Sequence, residues 1–275
     1  MALFLEFEHV HVARGDTTVL HDINLRIDAG EHIAILGPNG CGKSTLIKTM
    51  TCECYPLASS GQDHAETRVR IFGRERWDLT QLRKRLGVVS PELPGEATLR
   101  IVGRDAVLTG FFSSSTLWPH LTVTAEMQAH ADAVLKQIDA VELAGKRVGE
   151  MSAGEQRRIL IGRALIASRF TALPAESLPE QAMLLLDEPS NALDLSAQRE
   201  LRHLLRLLAR QGTGILLITH HIADIFPEIE RVLLMRDGRI VADGPKTELL
   251  TSATMSKLFQ TEVDLLQRDG FFYAW

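Results

Sequence analysis

The chain has 275 residues, 45% hydrophobic and 24% charged, which excludes intrinsic disorder and supplies one large apolar core or two modest ones. Thirty Lys+Arg against 35 Asp+Glu leave a formal net charge of −5, so no broad cationic field is present to hold nucleic acid. Three cysteines are too few for a disulfide scaffold and suit a reducing compartment.

Residues 4–12 alternate apolar and polar, the period of a strand, and a Gly15-Asp16 turn leads into a second strand over 19–27. After Ala29-Gly30-Glu31, residues 32–36 form a short apolar run that fits a buried strand of a mixed or parallel sheet. A glycine-rich loop follows, then a helix over 43–50. Residues 59–66 read as an exposed polar loop, 68–72 and 86–90 as short strands, and 78–84 as a short helix between them. From about 93 the character changes. A Pro/Gly-interrupted loop precedes a helical stretch at 101–109, a serine-rich run at 111–119, and a segment over 124–143. In that segment Met127, Ala131, Val134, Leu135 and Ile138 recur at helical spacing. The α/β alternation then resumes with a helix over 156–168, a buried strand over 182–186 and an amphipathic helix over 195–211. Strands follow at 214–219 and 232–235, an Asp237-Gly238 hairpin leads to 239–242, and a helix is expected over 247–258. Residues 263–275 carry no decisive pattern. No apolar run nears the roughly 20 residues that cross a bilayer, and residues 1–11 lack the basic flank and apolar stretch of a signal peptide. The expected fold class is α/β, one domain over 1–275 with a mixed β-sheet core and an inserted helical subdomain at 93–168.

The strongest local signal is Gly37-Pro38-Asn39-Gly40-Cys41-Gly42-Lys43-Ser44-Thr45. It fits G-x-x-x-x-G-K-[ST] and stands between an apolar strand and a helix, the context the pattern requires. Glycines let consecutive amides curl around phosphates, where the helix N-terminus adds positive potential. Lys43 supplies a point charge to the β/γ-phosphates, and the Ser44 hydroxyl can ligate Mg²⁺. A second piece, Met183-Leu184-Leu185-Leu186-Asp187-Glu188, is an apolar strand ending in two carboxylates. Asp187 at the strand end can reach the Mg²⁺ shell, and Glu188 can act on a water as general base.

With Met151-Ser152-Ala153-Gly154-Glu155-Gln156, Ser190-Asn191-Ala192-Leu193-Asp194 and Thr219-His220, these pieces resemble an ATP-binding cassette (ABC) ATPase. The second of these runs resembles the family's D-loop, and the third its switch histidine. The first resembles the signature Leu-Ser-Gly-Gly-Gln, with Met for Leu, Ala for the first Gly and Glu for Gln. The ordered set covers roughly residues 3–245. The resemblance implies a P-loop NTPase fold of ABC type, with ATP and Mg²⁺ as cofactors. Residues 37–45 would bind phosphates, Asp187 and Ser44 would bind Mg²⁺, Glu188 would activate water, and His220 would contact the γ-phosphate. Ser152, Gly154 and Glu155 would act on the nucleotide of a second cassette. With one phosphate loop and one signature, the chain implies a head-to-tail homodimer. That dimer would drive separate transmembrane permease subunits from the cytoplasmic face of the membrane.

The departures from the family pattern bear on particular residues. The position of the adenine-stacking aromatic falls on Arg14, whose guanidinium can also stack on a flat base; a solvated turn residue is the other reading. Pro91 stands where the Q-loop glutamine belongs, so either Glu92 takes that role or the water contact is missing. Residues 170–180, with Gln181, lengthen the connection before the Asp-Glu strand. Amide dipoles around Cys41 would lower its thiol pKa and open a redox role, whereas a small residue that merely fits is the plainer reading. Cys52-Glu53-Cys54 lacks a second ligand pair, and His9, His11, His220 and His221 have no ligand spacing; His221 reads as surface or packing. Phe111-Phe112 with Trp118-Pro119 would suit docking of a membrane partner's helix if exposed; buried packing is the alternative. Residues 89–93 and 103–112 resemble cassettes for uptake of a metal complex or oxyanion. Two other classes stay open: a soluble cassette acting on a non-membrane partner, as in cofactor assembly, and a degenerate cassette that binds ATP for regulation.

Overall fold

A computed structural model describes residues 2–57, 66–83, 85–90, 94–169 and 182–275. Pro91, Glu92 and the long connection over 170–181 lie outside the described residues. Backbone contacts divide the chain into two compact units, Met1–Leu79 with Gly214–Trp275, and Thr80–Thr213.

In chain order the first unit opens with β1 (Leu3–Arg14), β2 (Thr17–Asp28), β3 (His32–Leu36), α1 (Lys43–Met50) and β4 (Arg68–Ile71). After α2 (Leu79–Arg83) come β5 (Leu86–Val89), α3 (Glu96–Leu99), α4 (Gly103–Leu108), α5 (Ala125–Gln137), α6 (Ala153–Arg169), β6 (Met183–Asp187) and α7 (Leu195–Arg210). The chain returns to the first unit with β7 (Gly214–Thr219), β8 (Arg231–Arg236) and β9 (Arg239–Pro245). It ends with α8 (Lys246–Leu249), α9 (Ser252–Phe259), β10 (Leu265–Arg268) and β11 (Phe271–Ala274).

In the first unit β1 pairs antiparallel with β2 on one side and β4 on the other. The alternation of β1 does not run through unbroken. His9 (φ 50°) and its neighbour across the ladder, Asp22 (φ 52°), interrupt the register. Each inserted residue resets the phase, so Leu5 and Phe7 are buried before it and Val10 and Val12 after it. The second sheet of this unit places β3 between β7 and β8, all parallel, with β9 antiparallel at the outer edge of β8. Ile33, Ala34, Ile35 and Leu36 are fully buried, as expected for a strand covered on both faces.

In the second unit β5 and β6 pair in parallel, Leu86 opposite Met183 and Val89 opposite Leu186. Ala106 and Val107 of α4, Ala131, Val134 and Leu135 of α5, and Ile159 and Ile161 of α6 are buried. These three helices pack on one another. No described helix is long and apolar enough to cross a membrane.

Three of the expected helical segments differ in extent for a local reason, and residues 263–275, where no pattern was decisive, take a defined form. Helix α6 begins three residues early because Ser152 and Glu155 cap it (below). Helix α5 stops at Gln137, and Asp139 turns left-handed (φ 51°) before a single 3₁₀ turn at Val141–Leu143. The expected helix over 247–258 is two, α8 and α9, because Thr251 leaves the helix to cap α9, its Oγ1 accepting from the Thr254 amide at 3.2 Å. The terminal segment is a hairpin, β10–β11, turned at Asp269 (φ 52°) and Gly270 (φ 78°), the left-handed pair of a type I′ turn.

Candidate nucleotide site

The phosphate loop leaves the carboxyl end of β3 and enters α1. Its conformation is imposed from behind. A Cβ on Gly37 would lie 2.2 Å from the Met235 carbonyl oxygen of β8, so only glycine fits. Gly40 (φ 80°) and Gly42 (φ 104°) take left-handed conformations. The Asp237-Gly238 turn supports the loop: the Gly238 amide donates to the Cys41 carbonyl at 3.0 Å, while its own carbonyl accepts from the His21 amide at 2.9 Å. Gly37, Cys41, Gly42, Lys43 and Thr45 are buried, whereas Asn39, Gly40 and Ser44 are exposed. Helix α1 has no side-chain cap and no acidic residue in its first turn, so no carboxylate opposes an anion at its N-terminus. The Lys43 ammonium donates to the carbonyls of Gly37 (2.7 Å) and Pro38 (3.1 Å).

His220 follows β7 as Gly37 follows β3, and Leu36 stands opposite Thr219 in the parallel ladder. Both residues therefore leave the same carboxyl edge of one sheet, where open α/β sheets bind ligands. Thr219 fixes the turn: its hydroxyl donates to Asp224 Oδ2 at 2.9 Å and accepts from the His221 amide at 2.9 Å. The rings of His220 and His221 lie 3.8 Å apart, which makes His221 the packing partner of His220.

In the second unit Asp187 ends β6 and Glu188 follows it, with 8% exposure each. Glu188 has φ 46°, an uncommon conformation for a long side chain and of the kind found at functional sites. Arg157, which the sequence did not single out, reaches back from α6. Its Nη1 donates to the Ser90 carbonyl at 2.8 Å, at the residue before Pro91. Burial pulls its guanidinium below the ordinary value, and the charge of Asp187 opposes that.

Ser152 and Glu155 form a reciprocal cap at the start of α6: the Ser152 amide donates to Glu155 Oε2 at 2.7 Å, and the Glu155 amide to Ser152 Oγ at 3.3 Å. Lys146 donates to the same carboxylate oxygen at 2.8 Å. Asp194 caps α7, its Oδ1 accepting from the Ala197 amide at 2.8 Å. A Cβ on Gly154 would meet the Cβ of Ala197 at 3.0 Å, so the signature turn and the start of α7 are packed closely.

Among the described residues no group of three or more His, Cys, Asp or Glu could cage a metal ion. The Ser44 hydroxyl, which is exposed, and the Asp187 carboxylate are each, in donor chemistry, the kind of oxygen ligand that a hard cation takes.

Other expectations fare unevenly. Arg14 is exposed at the end of β1, beside the Gly15-Asp16 turn. Glu92 lies outside the described residues. The electrostatic expectation for Cys41 is corrected: burial pushes its thiol pKa up, outweighing Lys43 and the nearby amides that pull it down. This leaves the reading of a small residue that fits. Trp118 is 52% exposed, and Phe111 is half-buried with its ring 6.4 Å from that of His130.

A family profile described as ABC transporter matches residues 20–191. The hemin import ATP-binding protein HmuV of Hahella chejuensis (strain KCTC 2396) is 34% identical over 257 residues, 94% of this chain and 93% of that protein. YlmA of Bacillus subtilis (strain 168), described as an uncharacterized ABC transporter ATP-binding protein, is 29% identical over 269 residues, 96% and 94% of the two chains. Among solved structures, cbiO1 from Clostridium perfringens, part of the ABC transporter complex cbiONQ, has a TM-score of 0.74 at 24% identity, covering 94% of each chain. The dimeric cassette MJ0796 bound to ADP and Pi has a TM-score of 0.66 at 24% identity, covering 88% of this chain and 98% of that one. Both structures share the fold.

Proposed function

This chain is an ATPase of the ABC transporter family, and we propose that two copies, meeting head to tail on ATP, drive import through separate membrane subunits. We take residues 1–275 as one nucleotide-binding domain, with a helical subdomain at 93–168. The observation that carries the reading is the glycine loop 37–45, held open at the carboxyl edge of β3 with His220 at the end of the adjoining strand.

The amides of that loop and Lys43 bind the phosphates, and His220 meets the γ-phosphate. Ser44 and Asp187 would hold Mg²⁺, which when bound neutralises charge on the transferring phosphoryl group. Glu188 takes a proton from the attacking water. Arg14 offers a flat cation to the base, and Glu92 stands in for the Q-loop glutamine. The chain contains one phosphate loop and one signature. Ser152 and Gly154 therefore serve the nucleotide of the second copy, and hydrolysis releases the pair.

The cargo class we propose is a metal complex, because a relative 34% identical is described as a hemin import ATP-binding protein. The chain then works at the cytoplasmic face, docked on permease subunits. Isolating the native protein from detergent-solubilised membranes tests this: polytopic proteins should accompany it in fixed ratio. Quantitative recovery from the soluble fraction with no membrane partner overturns it in favour of a soluble cassette.

A further inference from the structure

The signature turn carries a negative charge where the proposed function requires a triphosphate to approach. Glu155 is the third residue of α6, and its Oε2 accepts from both the Ser152 amide (2.7 Å) and the Lys146 ammonium (2.8 Å). In return the Glu155 amide donates to Ser152 Oγ at 3.3 Å. That bond occupies one lone pair of the hydroxyl, and the hydroxyl still has a proton to donate. A carboxylate suits this geometry because it accepts strongly. It would also repel phosphate oxygens brought to the same helix end, since unit charges a few ångströms apart still interact appreciably near a protein surface.

Lys146 answers that repulsion. It sits in the loop before α6, where its carbonyl accepts from the Gly103 amide at 3.0 Å. Its ammonium lies 2.8 Å from the carboxylate, and its side chain is 36% exposed. The Lys146 hydrogen bond first, and the Ser152 amide next, hold the Glu155 carboxyl below the usual range, so it is a carboxylate at neutral pH.

We infer that Lys146 and Glu155 are a charge-compensated clamp: Glu155 sets the Ser152 hydroxyl as a donor to the partner cassette's γ-phosphate, and Lys146 cancels the charge that Glu155 brings. Both are positioning residues. The inference rests on the reading that Ser152 acts on the second copy's nucleotide.

The test is dimerisation of the full chain with Mg²⁺ and adenylyl imidodiphosphate, followed by sedimentation. Lys146→Met should weaken the dimer on the order of tenfold, and the deficit should shrink as salt rises. Glu155→Gln keeps an acceptor for the Ser152 amide while removing the charge. Combined with Lys146→Met it should restore the dimer, and alone it should tighten assembly. A silent Lys146→Met, a double variant as weak as the single one, or a weakened Glu155→Gln each overturns the clamp. So does a pattern that appears in the melting temperature of the monomer but not in dimer affinity. Ser152→Ala separates the two levels. If it leaves the dimer intact, the reading of the signature falls and the clamp with it; if it abolishes the dimer while Lys146→Met is silent, only the clamp falls.

Discussion

Glu188 and Asp187 are adjacent, equally buried carboxylates at the end of one strand, yet their backbone conformations differ. Asp187 is the last strand residue, whereas Glu188 turns left-handed and departs on a different course. Holding a glutamate at φ 46° costs on the order of 1 kcal/mol or more, a cost that a purely structural position would shed by substitution to glycine or asparagine. A general base that must meet a water from one direction gives a reason to retain it. Glu188→Gln keeps the side chain's size and removes the base, so ATP turnover should fall at least about 100-fold. Nucleotide affinity should stay near that of the parent. Turnover within a few-fold of the parent, measured by phosphate release under saturating ATP, removes Glu188 from that role.

Between elements, the contact that most shapes the site is the β8–β9 turn beneath the phosphate loop. Gly238 has φ 71°, and a Cβ there would lie 2.0 Å from the Val19 carbonyl oxygen of β2. Gly238→Ala must push the turn away from β2, and with it the amide that holds the Cys41 carbonyl. Stability should drop by about 1–3 kcal/mol in urea titration, and ATP affinity should drop as well, although residue 238 touches no nucleotide in the proposed mode. Unchanged affinity in a destabilised variant would mean the loop holds its shape without this support. The Asp-Gly pair was legible as a hairpin, but its purchase on residue 41 was not, because nothing local encodes a contact across nearly two hundred positions. The same division holds elsewhere. Residues 37–45 could be read directly, since a phosphate cradle needs particular residue types in consecutive order. The Ser152–Glu155 cap could have been read from its spacing, yet α6 was expected three residues late. The partnership of Glu155 with Lys146, the reach of Arg157 to Ser90 and the phase reset at His9 depend on tertiary neighbours. For Cys41 both influences were foreseeable in kind; burial outweighs the amides in a thiol packed so close to Gly37 that a Cβ there would lie 2.8 Å from its Sγ.

At the scale of the whole molecule, the proposed function makes one chain half of a machine. On that proposal a nucleotide bound by residues 37–45 of one copy would meet Ser152 of another, and a monomer would have every residue it needs and no complete site. Two consequences follow that separate this from an ATPase complete in one chain. Specific activity should rise with protein concentration until the dimer saturates. Mixing should also be non-linear if both half-sites must be loaded. Lys43→Ala removes the ammonium that the loop presents, so a copy carrying it can lend its signature but cannot itself bind nucleotide firmly. If cleavage requires both half-sites loaded, an equal mixture of parent and variant chains should retain about one quarter of the parental rate, the share of dimers with two parental copies. If each site fires alone, about one half should remain, and that result would also be expected of chains that act as monomers. Dilution distinguishes those two cases: independent sites in a dimer still lose specific activity at low concentration, whereas a self-sufficient monomer does not. A rate per chain constant across dilution and linear in the parental fraction would therefore remove the shared site, and with it the coupling between hydrolysis and separation on which transport would depend.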